Sequence, residues 1–211
     1  GSCSGGNLDG LYQGGGVYLY QGNPTLNNLI ISANLAKLGA GLMNDGGNAN
    51  ITNTAFQGNF VPGSYNSGGG MYNSNGNPSL SNVLFGGNYA YYGGGFYSIN
   101  GSPTLVNATF SGNNNDPNEG TIHILNGITT LTNSIIWGNR STIGGGGATL
   151  NVTYSIVEGN YVGAGNLNID PFFDDPQHYS LAPTTAGDYH PRYGSVSTDI
   201  GSNAAVTTGL D

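Results

Sequence analysis

The chain has very few charged side chains, and this scarcity excludes several classes of function. Charged residues make up 7% of its 211 residues, against about 25% in ordinary soluble domains. Its only cations are Lys37, Arg140 and Arg192, and the formal net charge is −8. Binding to nucleic acid requires clustered Lys and Arg that displace phosphate counterions, and attachment to an anionic membrane surface requires a polybasic segment. The sequence predicts neither.

Cysteine and long apolar runs are scarce as well. Cys3 is the only cysteine, which excludes an internal disulfide framework and a cysteine-based zinc site. An unpaired terminal thiol is the simplest interpretation of Cys3, with an intermolecular disulfide or a lipid-bearing N-terminal cysteine as alternatives. The apolar runs are a few residues long, too short for a transmembrane helix, and no signal peptide is recognisable.

Glycine and asparagine are abundant, yet apolar residues recur among them at fixed intervals. Glycine alone contributes 39 residues, a composition that also occurs in disordered chains. A regular repeat argues for order instead, since it can build a continuous core from stacked units. The repeats of about 25 residues are Gly14–Leu38, Gly39–Ser67, Gly68–Tyr92, Gly93–Asn118, Glu119–Ile143 and a shorter Gly144–Val162.

Within each repeat the apolar residues alternate with a period of two, which predicts strands rather than helices. Leucine-rich repeats have similar lengths, but Gly, Asn and Pro interrupt every segment here that could form a helix. Three short strands per repeat predict an all-β, right-handed, three-faced parallel β-helix of about six coils. The inward columns are Val17, Leu42, Met71, Phe96 and Ile122; Leu26, Ile51, Leu80, Leu105, Leu131 and Val152; and Ile31, Phe56, Phe85, Phe110, Ile136 and Val157.

The predicted domain has three parts. Residues 1–13 form an N-terminal segment, 14–162 form the coils, and 163–211 form an irregular cap of the same domain. An open coil leaves unpaired backbone groups at its last strands. We therefore expect the aromatic, proline-rich tail to fold over the end of the coil or along one of its faces.

Two columns of asparagine mark the bends of the repeat. Asparagine tolerates left-handed backbone, and amides stacked in register can donate to one coil and accept from the next. We expect both functions in both columns. The columns are Asn28, Asn53, Asn82, Asn107 and Asn133, and Asn34, Asn59, Asn88, Asn113, Asn139 and Asn160.

The repeat GGGxYxxxGxPTLxNxxFxGN resembles the pectate-lyase-like β-helix superfamily, in particular the repeats of polymorphic outer-membrane proteins. The stretches GNLNIDPFFDDP and GDYHPRYGSVSTDIGSNAA are similar to the closing region of choice-of-anchor bacterial surface proteins, although Pro191 and Val196-Ser197 depart from that pattern. The resemblance covers nearly the whole chain. It implies a β-helix and a secreted or bacterial cell-surface location, and it implies that the chain is part of a longer polypeptide.

An outward row of ring side chains is the strongest candidate for a binding site. Tyr18, Tyr72, Tyr97 and His123 each follow an inward apolar residue, so alternation places them on the solvent face, one coil above another. Such a row can bind a glycan or a protein partner. Alternatively, the rings stabilise the sheet by stacking on one another.

Candidate catalytic and metal-binding residues are sparse. A uronate lyase needs basic residues near the substrate carboxylate, but Lys37 and Arg140 lie several coils apart. A hydrolase needs paired carboxylates, and Asp116 and Glu119 are the only close pair in the coil. The tail carries a weak candidate calcium site, composed of Asp170, Asp174 and Asp175. No other cofactor is predicted.

The sequence favours a non-catalytic structural or adhesive module over an enzyme. Its expected partners are an extracellular glycan, a protein, or copies of itself stacked end to end into a filament. A polysaccharide lyase or glycoside hydrolase is the alternative, and it rests on the superfamily resemblance. Ice binding by the outward column Thr25, Asn50, Ser79, Thr104 and Thr130 is a weaker hypothesis, because the column is mixed.

Overall fold

A computed structural model describes residues 13–197 and 200–205. Cys3, nearly all of the segment 1–13 and the last part of the tail lie outside the described residues. Short 3-10 turns span Tyr179–Leu181 and Asn203–Ala205, and no helix in the described chain has the length and apolarity of a membrane span. The strands are β1 (Val17–Tyr20), β2 (Thr25–Asn27), β3 (Ile30–Ser32), β4 (Leu42–Asp45), β5 (Asn50–Gln57), β6 (Met71–Ser74), β7 (Ser79–Gly86), β8 (Phe96–Gly101), β9 (Thr104–Ser111), β10 (Ile122–Thr132), β11 (Ile135–Ile136), β12 (Ile143–Gly146), β13 (Thr149–Thr153), β14 (Ile156–Val157), β15 (Phe173–Asp175) and β16 (Asp188–Pro191).

The strands stack as a parallel β-solenoid of about six turns, which confirms the predicted fold class. One face pairs β1, β4, β6, β8, β10 and β12 in that order. The second face pairs β2 and β3 with β5, followed by β7, β9 and the strands of the later coils. The third side of each coil is shorter and carries isolated bridges such as Leu38 to Ser67 and Ser67 to Tyr92.

All three predicted apolar columns point into the coil and lie in register. Met71 pairs with Phe96, Leu80 with Leu105, and Phe85 with Phe110. The ring of Phe85 stacks on that of Phe110 at a centroid distance of 4.6 Å. These side chains are fully buried. Removing such an aromatic ring from a core costs about 3–5 kcal/mol, so the columns are the main source of stability.

The first asparagine column adopts the predicted left-handed backbone. Its five members have φ between 50° and 57°, and the amides of Asn53, Asn82 and Asn107 form a hydrogen-bonded ladder along the corner. In that ladder, Asn82 Nδ2 donates to Asn53 Oδ1 at 3.2 Å, and Asn107 Nδ2 donates to Asn82 Oδ1 at 2.9 Å. The left-handed members are Asn28, Asn53, Asn82, Asn107 and Asn133.

The second asparagine column forms a ladder, but its left-handed backbone was assigned to the wrong residue. From Asn34 to Asn139 the side chains are buried, and each of the first four amides donates to the next asparagine at 2.9 or 3.0 Å. Asn160 is exposed, and its backbone is left-handed at φ 63°. In the other coils the preceding residue makes the left-handed bend, and these residues are Ala33, Gly58, Gly87, Gly112 and Gly138.

A third polar ladder lies inside the coil and was not predicted. Asn44, Asn73 and Ser98 are buried neighbours on β4, β6 and β8, in a column that is otherwise apolar. Asn44 Nδ2 donates to Asn73 Oδ1 at 2.7 Å, and Asn73 Nδ2 donates to the Ser98 hydroxyl at 3.0 Å. Each of the two amides also donates to a glycine carbonyl of its own turn, so these residues brace the bend that follows the strand.

The beginning of the tail closes the end of the coil. Leu167 forms a parallel bridge with Ile156, and the Val157 N–H donates to the Leu167 carbonyl at 2.9 Å. Asn166 Oδ1 accepts from the Ser155 N–H at 3.1 Å. Residues 163–168 therefore continue the coil by a partial turn instead of leaving it.

The rest of the tail runs along one face of the coil. Strands β15 and β16 form an antiparallel pair, and the Thr184 N–H donates to the Gly87 carbonyl at 2.9 Å. Gly87 permits this approach, because a Cβ there would lie 2.2 Å from the Thr184 carbonyl oxygen. Further along, Asn133 exchanges two hydrogen bonds with the backbone of Ser202.

Candidate functional site

The predicted ring row is a stack from Tyr72 to His123, and Met43 separates this stack from Tyr18. Parallel pairing places Tyr18, Met43, Tyr72, Tyr97 and His123 in one column. The rings of Tyr72 and Tyr97 stack at 4.7 Å, and those of Tyr97 and His123 stack at 5.3 Å with an interplanar angle of 6°. Because each ring covers the face of its neighbour, the row presents mainly ring edges outward.

The prediction that the whole row is exposed to solvent is wrong. Tyr18 is 46% exposed, but Tyr97 and His123 are only 6% and 3% exposed. Tyr92, from the third side of the coil, lies edge-on against the His123 ring at a centroid distance of 5.0 Å. Alternation along a strand indicates which face a residue lies on, but it does not reveal a neighbouring loop that covers the face.

A cluster of loop tyrosines forms the cover. The ring centroids of Tyr65 and Tyr91 lie 5.1 Å apart, and those of Tyr91 and Tyr92 lie 4.8 Å apart in an edge-to-face arrangement. Tyr65 remains 72% exposed. In the sequence Tyr65 lies one coil before the adjacent residues Tyr91 and Tyr92, and only the stacking of the coils brings it against them.

The row and the loop tyrosines enclose a groove, which we call the aromatic groove. Its volume is about 600 Å³. It combines exposed ring surface from Tyr65 with hydroxyls, one imidazole and one carboxylate. Its lining residues are Leu38, Tyr65, Ser67, Tyr72, Tyr92, Tyr97, Asn118, Glu119, His123, Leu125, Gly145 and Gly146.

Glu119 and His123 are the titratable pair of the groove. Glu119 Oε2 lies 3.5 Å from His123 Nδ1, and the Glu119 carbonyl also contacts Nδ1. Burial lowers the pKa of His123 below its usual value, although the hydrogen bond and the negative charge of Glu119 oppose this shift. At neutral pH the imidazole is therefore neutral and the groove carries the negative charge of Glu119.

Tyr72 and Tyr97 stay protonated. Burial raises the pKa of Tyr97 to about 12, and the neighbouring Tyr72 and Tyr92 add to the shift. Burial also raises the pKa of Tyr72, followed by the charge of Asp45. Their hydroxyls therefore remain able both to donate and to accept hydrogen bonds at any physiological pH.

The carboxylate pair of the sequence analysis sits beside this groove. Glu119 lines it, whereas Asp116 Oδ1 accepts from the Asn118 N–H at 3.0 Å and so holds the loop in a turn. The Glu119 N–H donates to the Asp116 carbonyl at 2.9 Å. The local hydrogen bonds of Asp116 give it a structural role in the loop.

The predicted calcium site is wrong for the described residues, in which no three His, Cys, Asp or Glu residues come together as a metal site. Asp170 Oδ1 accepts from the Phe172 N–H at 2.8 Å and stabilises a turn. Asp174 lies 3.4 Å from Arg192 Nε in an exposed ion pair. Adjacent residues on an extended strand point to opposite sides, so neighbouring positions in sequence do not suffice to form a coordination shell.

A second groove of about 520 Å³ separates the tail from the coil. One wall contains the first asparagine column, including Asn53 and Asn82, and the other contains Tyr189 and His190. Tyr189 is buried against Gly86 of the coil. This groove is therefore the boundary between the tail and the coil.

In comparisons with known proteins, no family model, no curated protein and no solved structure matches the chain.

Proposed function

We propose that this chain is a non-catalytic, secreted or bacterial cell-surface β-helix module that adheres to a saccharide through the aromatic groove. The observation that carries the proposal is the juxtaposition of the exposed ring of Tyr65 with more deeply placed hydroxyls, an imidazole and a carboxylate in one concavity. Saccharides pair in this way, since their C–H faces pack on aromatic rings while their hydroxyls exchange hydrogen bonds with polar side chains.

The parts of the groove have different roles in this proposal. Tyr65 supplies open ring surface against which a sugar ring packs. The hydroxyls of Tyr72 and Tyr92 and the carboxylate of Glu119 supply hydrogen bonds along the groove. The rigid coil beneath them lowers the entropic cost of binding, because the stacked rings are ordered before the ligand arrives.

Two features favour binding over cleavage. Glycoside hydrolysis uses two carboxyl groups that flank the scissile bond, but Glu119 is the only carboxylate among the described lining residues. Elimination from a uronate requires a base and a cation near the substrate carboxylate, and none of these lining residues is Lys or Arg. The alternative of a polysaccharide-active enzyme therefore has less support.

A glycan array carrying neutral, amine-bearing and uronate oligosaccharides tests the proposal. For the best ligand we expect Tyr65→Ala to weaken binding at least tenfold, while Tyr193→Ala does not change it. Tyr193 is the matched control, because it is a fully exposed tyrosine of the tail. Absence of any glycan ligand, or equal losses in both variants, would contradict the proposal, and release of reducing ends or unsaturated uronates would establish the enzymatic alternative.

End-to-end association into filaments is a second candidate function, and the edge of the last coil favours it. β12 pairs with β10 on one side, and in the described chain no strand pairs with its other side. Its residues Gly145 and Gly146 are exposed, and a Cβ at Gly146 would contact nothing. Such an open edge can accept a strand from another copy.

Negative-stain microscopy and light scattering of the purified chain test this second candidate. We expect concentration-dependent filaments that Gly146→Lys abolishes, since a charge on an edge strand opposes strand addition. A monomer at all concentrations, or filaments that persist in Gly146→Lys, would contradict it.

A further inference from the structure

The charges around the aromatic groove are of one sign. Glu119 lies in the lining, and Asp116 and Glu119 both raise the pKa of Tyr91 and Tyr92, after burial in each case. At the other end of the row, Asp45 accepts a hydrogen bond from the Tyr18 hydroxyl at 3.3 Å. Carboxylates therefore stand at both ends of the tyrosine row.

None of the described residues that line the groove is Lys or Arg. Arg140 donates to Asn114 Oδ1 at 3.3 Å on the exposed surface, and Arg192 pairs with Asp174 in the tail. Lys37 precedes the lining residue Leu38 but does not itself line the groove. His123 is neutral at neutral pH because it is buried. The groove thus has a negative potential next to the open ring of Tyr65, and the face of such a ring also attracts cations.

We infer that the aromatic groove prefers saccharides that carry protonated amines over neutral ones, and binds saccharides that carry carboxylates most weakly. This inference rests on the proposed function and specifies its ligand class. Glu119 is the residue that sets the preference, since its carboxylate is the one in the lining and its partner His123 stays uncharged. A uronate chain in the same position would place like charges together, which weakens binding.

The size of the preference follows from the exposure of the pair. An ion pair near the surface is worth about 0–1 kcal/mol, and Glu119 is 27% exposed on its side chain. A single amine at this position should therefore bind up to about fivefold more tightly than the neutral sugar, a factor that salt reduces.

Calorimetric titration with three oligosaccharides of equal length tests the inference: a chitin hexamer (neutral), a chitosan hexamer (amine-bearing) and an oligogalacturonate (anionic), at pH 6 and low ionic strength. We expect chitosan to bind about fivefold more tightly than chitin, and the oligogalacturonate to bind most weakly. Glu119→Gln should abolish the difference between chitosan and chitin. Physiological salt should reduce the difference in the unmodified protein.

Asp175→Asn is the matched control, because it removes one negative charge from the exposed strand β15, which contributes nothing to the lining of the groove. It should keep the preference for chitosan. Thermal unfolding of both variants checks that each is folded.

The outcomes separate the inference from the proposed function. If chitin and chitosan bind equally, if the preference survives in Glu119→Gln, or if the oligogalacturonate binds most tightly, the inference is overturned, while a loss of binding in Tyr65→Ala still supports the groove as a saccharide site. If none of the three binds, the inference is also overturned, and the glycan array decides the proposed function by itself.

Discussion

The two asparagine columns have the same signature in the sequence, but they stabilise the coil in different ways. In the first asparagine column, which we call the outer column and which Asn82 represents, the backbone is left-handed and the side chain is partly exposed. In the second asparagine column, which we call the inner column and which Asn88 represents, the side chain is fully buried and Gly87 makes the left-handed bend. The outer column thus uses asparagine mainly for its backbone tolerance, and the inner column uses it for its amide.

The hydrogen bonds of the columns reflect this difference. Asn88 makes bonds to three residues: its Nδ2 donates to Asn113 Oδ1 and to the Phe56 carbonyl, and its Oδ1 accepts from the Asn59 backbone and side chain. Asn82 makes two bonds, one to each neighbour in its column. A buried group that loses its partner costs about 1–3 kcal/mol, so the inner column should be much less tolerant of substitution.

The largest expected effect is that of Asn88→Ala. It leaves the Asn59 N–H without its acceptor and removes the amide bonds to Asn113 and to the Phe56 carbonyl, so we expect a loss of about 3 kcal/mol in the free energy of unfolding. Chemical denaturation measures this. Asn88→Gly should lose at least as much, because backbone freedom does not replace the amide; recovery of stability in Asn88→Gly would contradict the distinction between the columns.

Gly87→Ala should have the second largest effect. The new Cβ would lie 2.2 Å from the Thr184 carbonyl oxygen at a residue with φ of 60°, so both backbone strain and a clash with the tail oppose it. We expect a loss of about 2 kcal/mol and faster proteolysis of the tail between residues 177 and 190. If the protein loses stability while the tail stays protected, the contact with Thr184 is not what fixes the tail to the coil.

Substitution in the outer column should cost less and should depend on the backbone. Asn82→Ala forces alanine into φ 53°, which costs about 1–2 kcal/mol. Asn82→Gly removes this strain and should restore most of the stability. The comparison of the Ala and Gly variants by chemical denaturation is decisive, and equal losses would show that the amide ladder matters more than the bend at this corner.

A fall in pH should have the smallest effect, and it acts on the aromatic column because neither asparagine column titrates. Burial lowers the pKa of His123 in the folded chain below the usual value of 6.5. Below that value the unfolded chain takes up a proton that the folded chain does not, so stability decreases as the pH falls. Thermal unfolding between pH 7.5 and 5 should show a shallow decrease.

The matched control for the pH prediction is a histidine of the tail, His178. His123→Gln should remove most of the decrease, whereas His178→Gln should retain it, since His178 is exposed in the tail. The decrease in stability should also be smaller than the loss in Asn82→Ala. Only one imidazole is involved, and the hydrogen bond and charge of Glu119 oppose the effect of burial on its pKa. A steeper decrease, or one that persists in His123→Gln, would point to another titrating group.

The register of the coil was predictable because a parallel coil repeats its geometry. Once Phe56, Phe85 and Phe110 recur at the same point of each repeat, stacking follows from the burial of apolar surface alone. The left-handed bend at Asn82 was predictable for the same local reason, since few residue types accept that backbone. The residue that bends next to Asn88 was not, because glycine and asparagine are adjacent there and both favour a bend.

The candidate site was only partly predictable. The stacking of Tyr72, Tyr97 and His123 follows from the repeat. The burial of Tyr97 and His123 also involves Tyr92, and the equivalent positions of earlier coils hold Leu38 and Ser67 instead of tyrosine. The grouping of Asp170, Asp174 and Asp175 failed as a metal site for the opposite reason: proximity in the sequence was taken for proximity of side chains.

The sequence by itself determined the period, the strands and the inward columns of this protein, because each depends on interactions between equivalent positions of adjacent coils. It also determined the sparse charge, which is a property of the composition alone. The tertiary structure decided how the tail lies along one face, which rings are covered, and which charges face the aromatic groove. The physical reason is that these features depend on segments outside the repeat, as in the contact of Thr184 with Gly87, or on side chains that change from coil to coil, as in the contact of Tyr92 with His123. No periodic pattern encodes them.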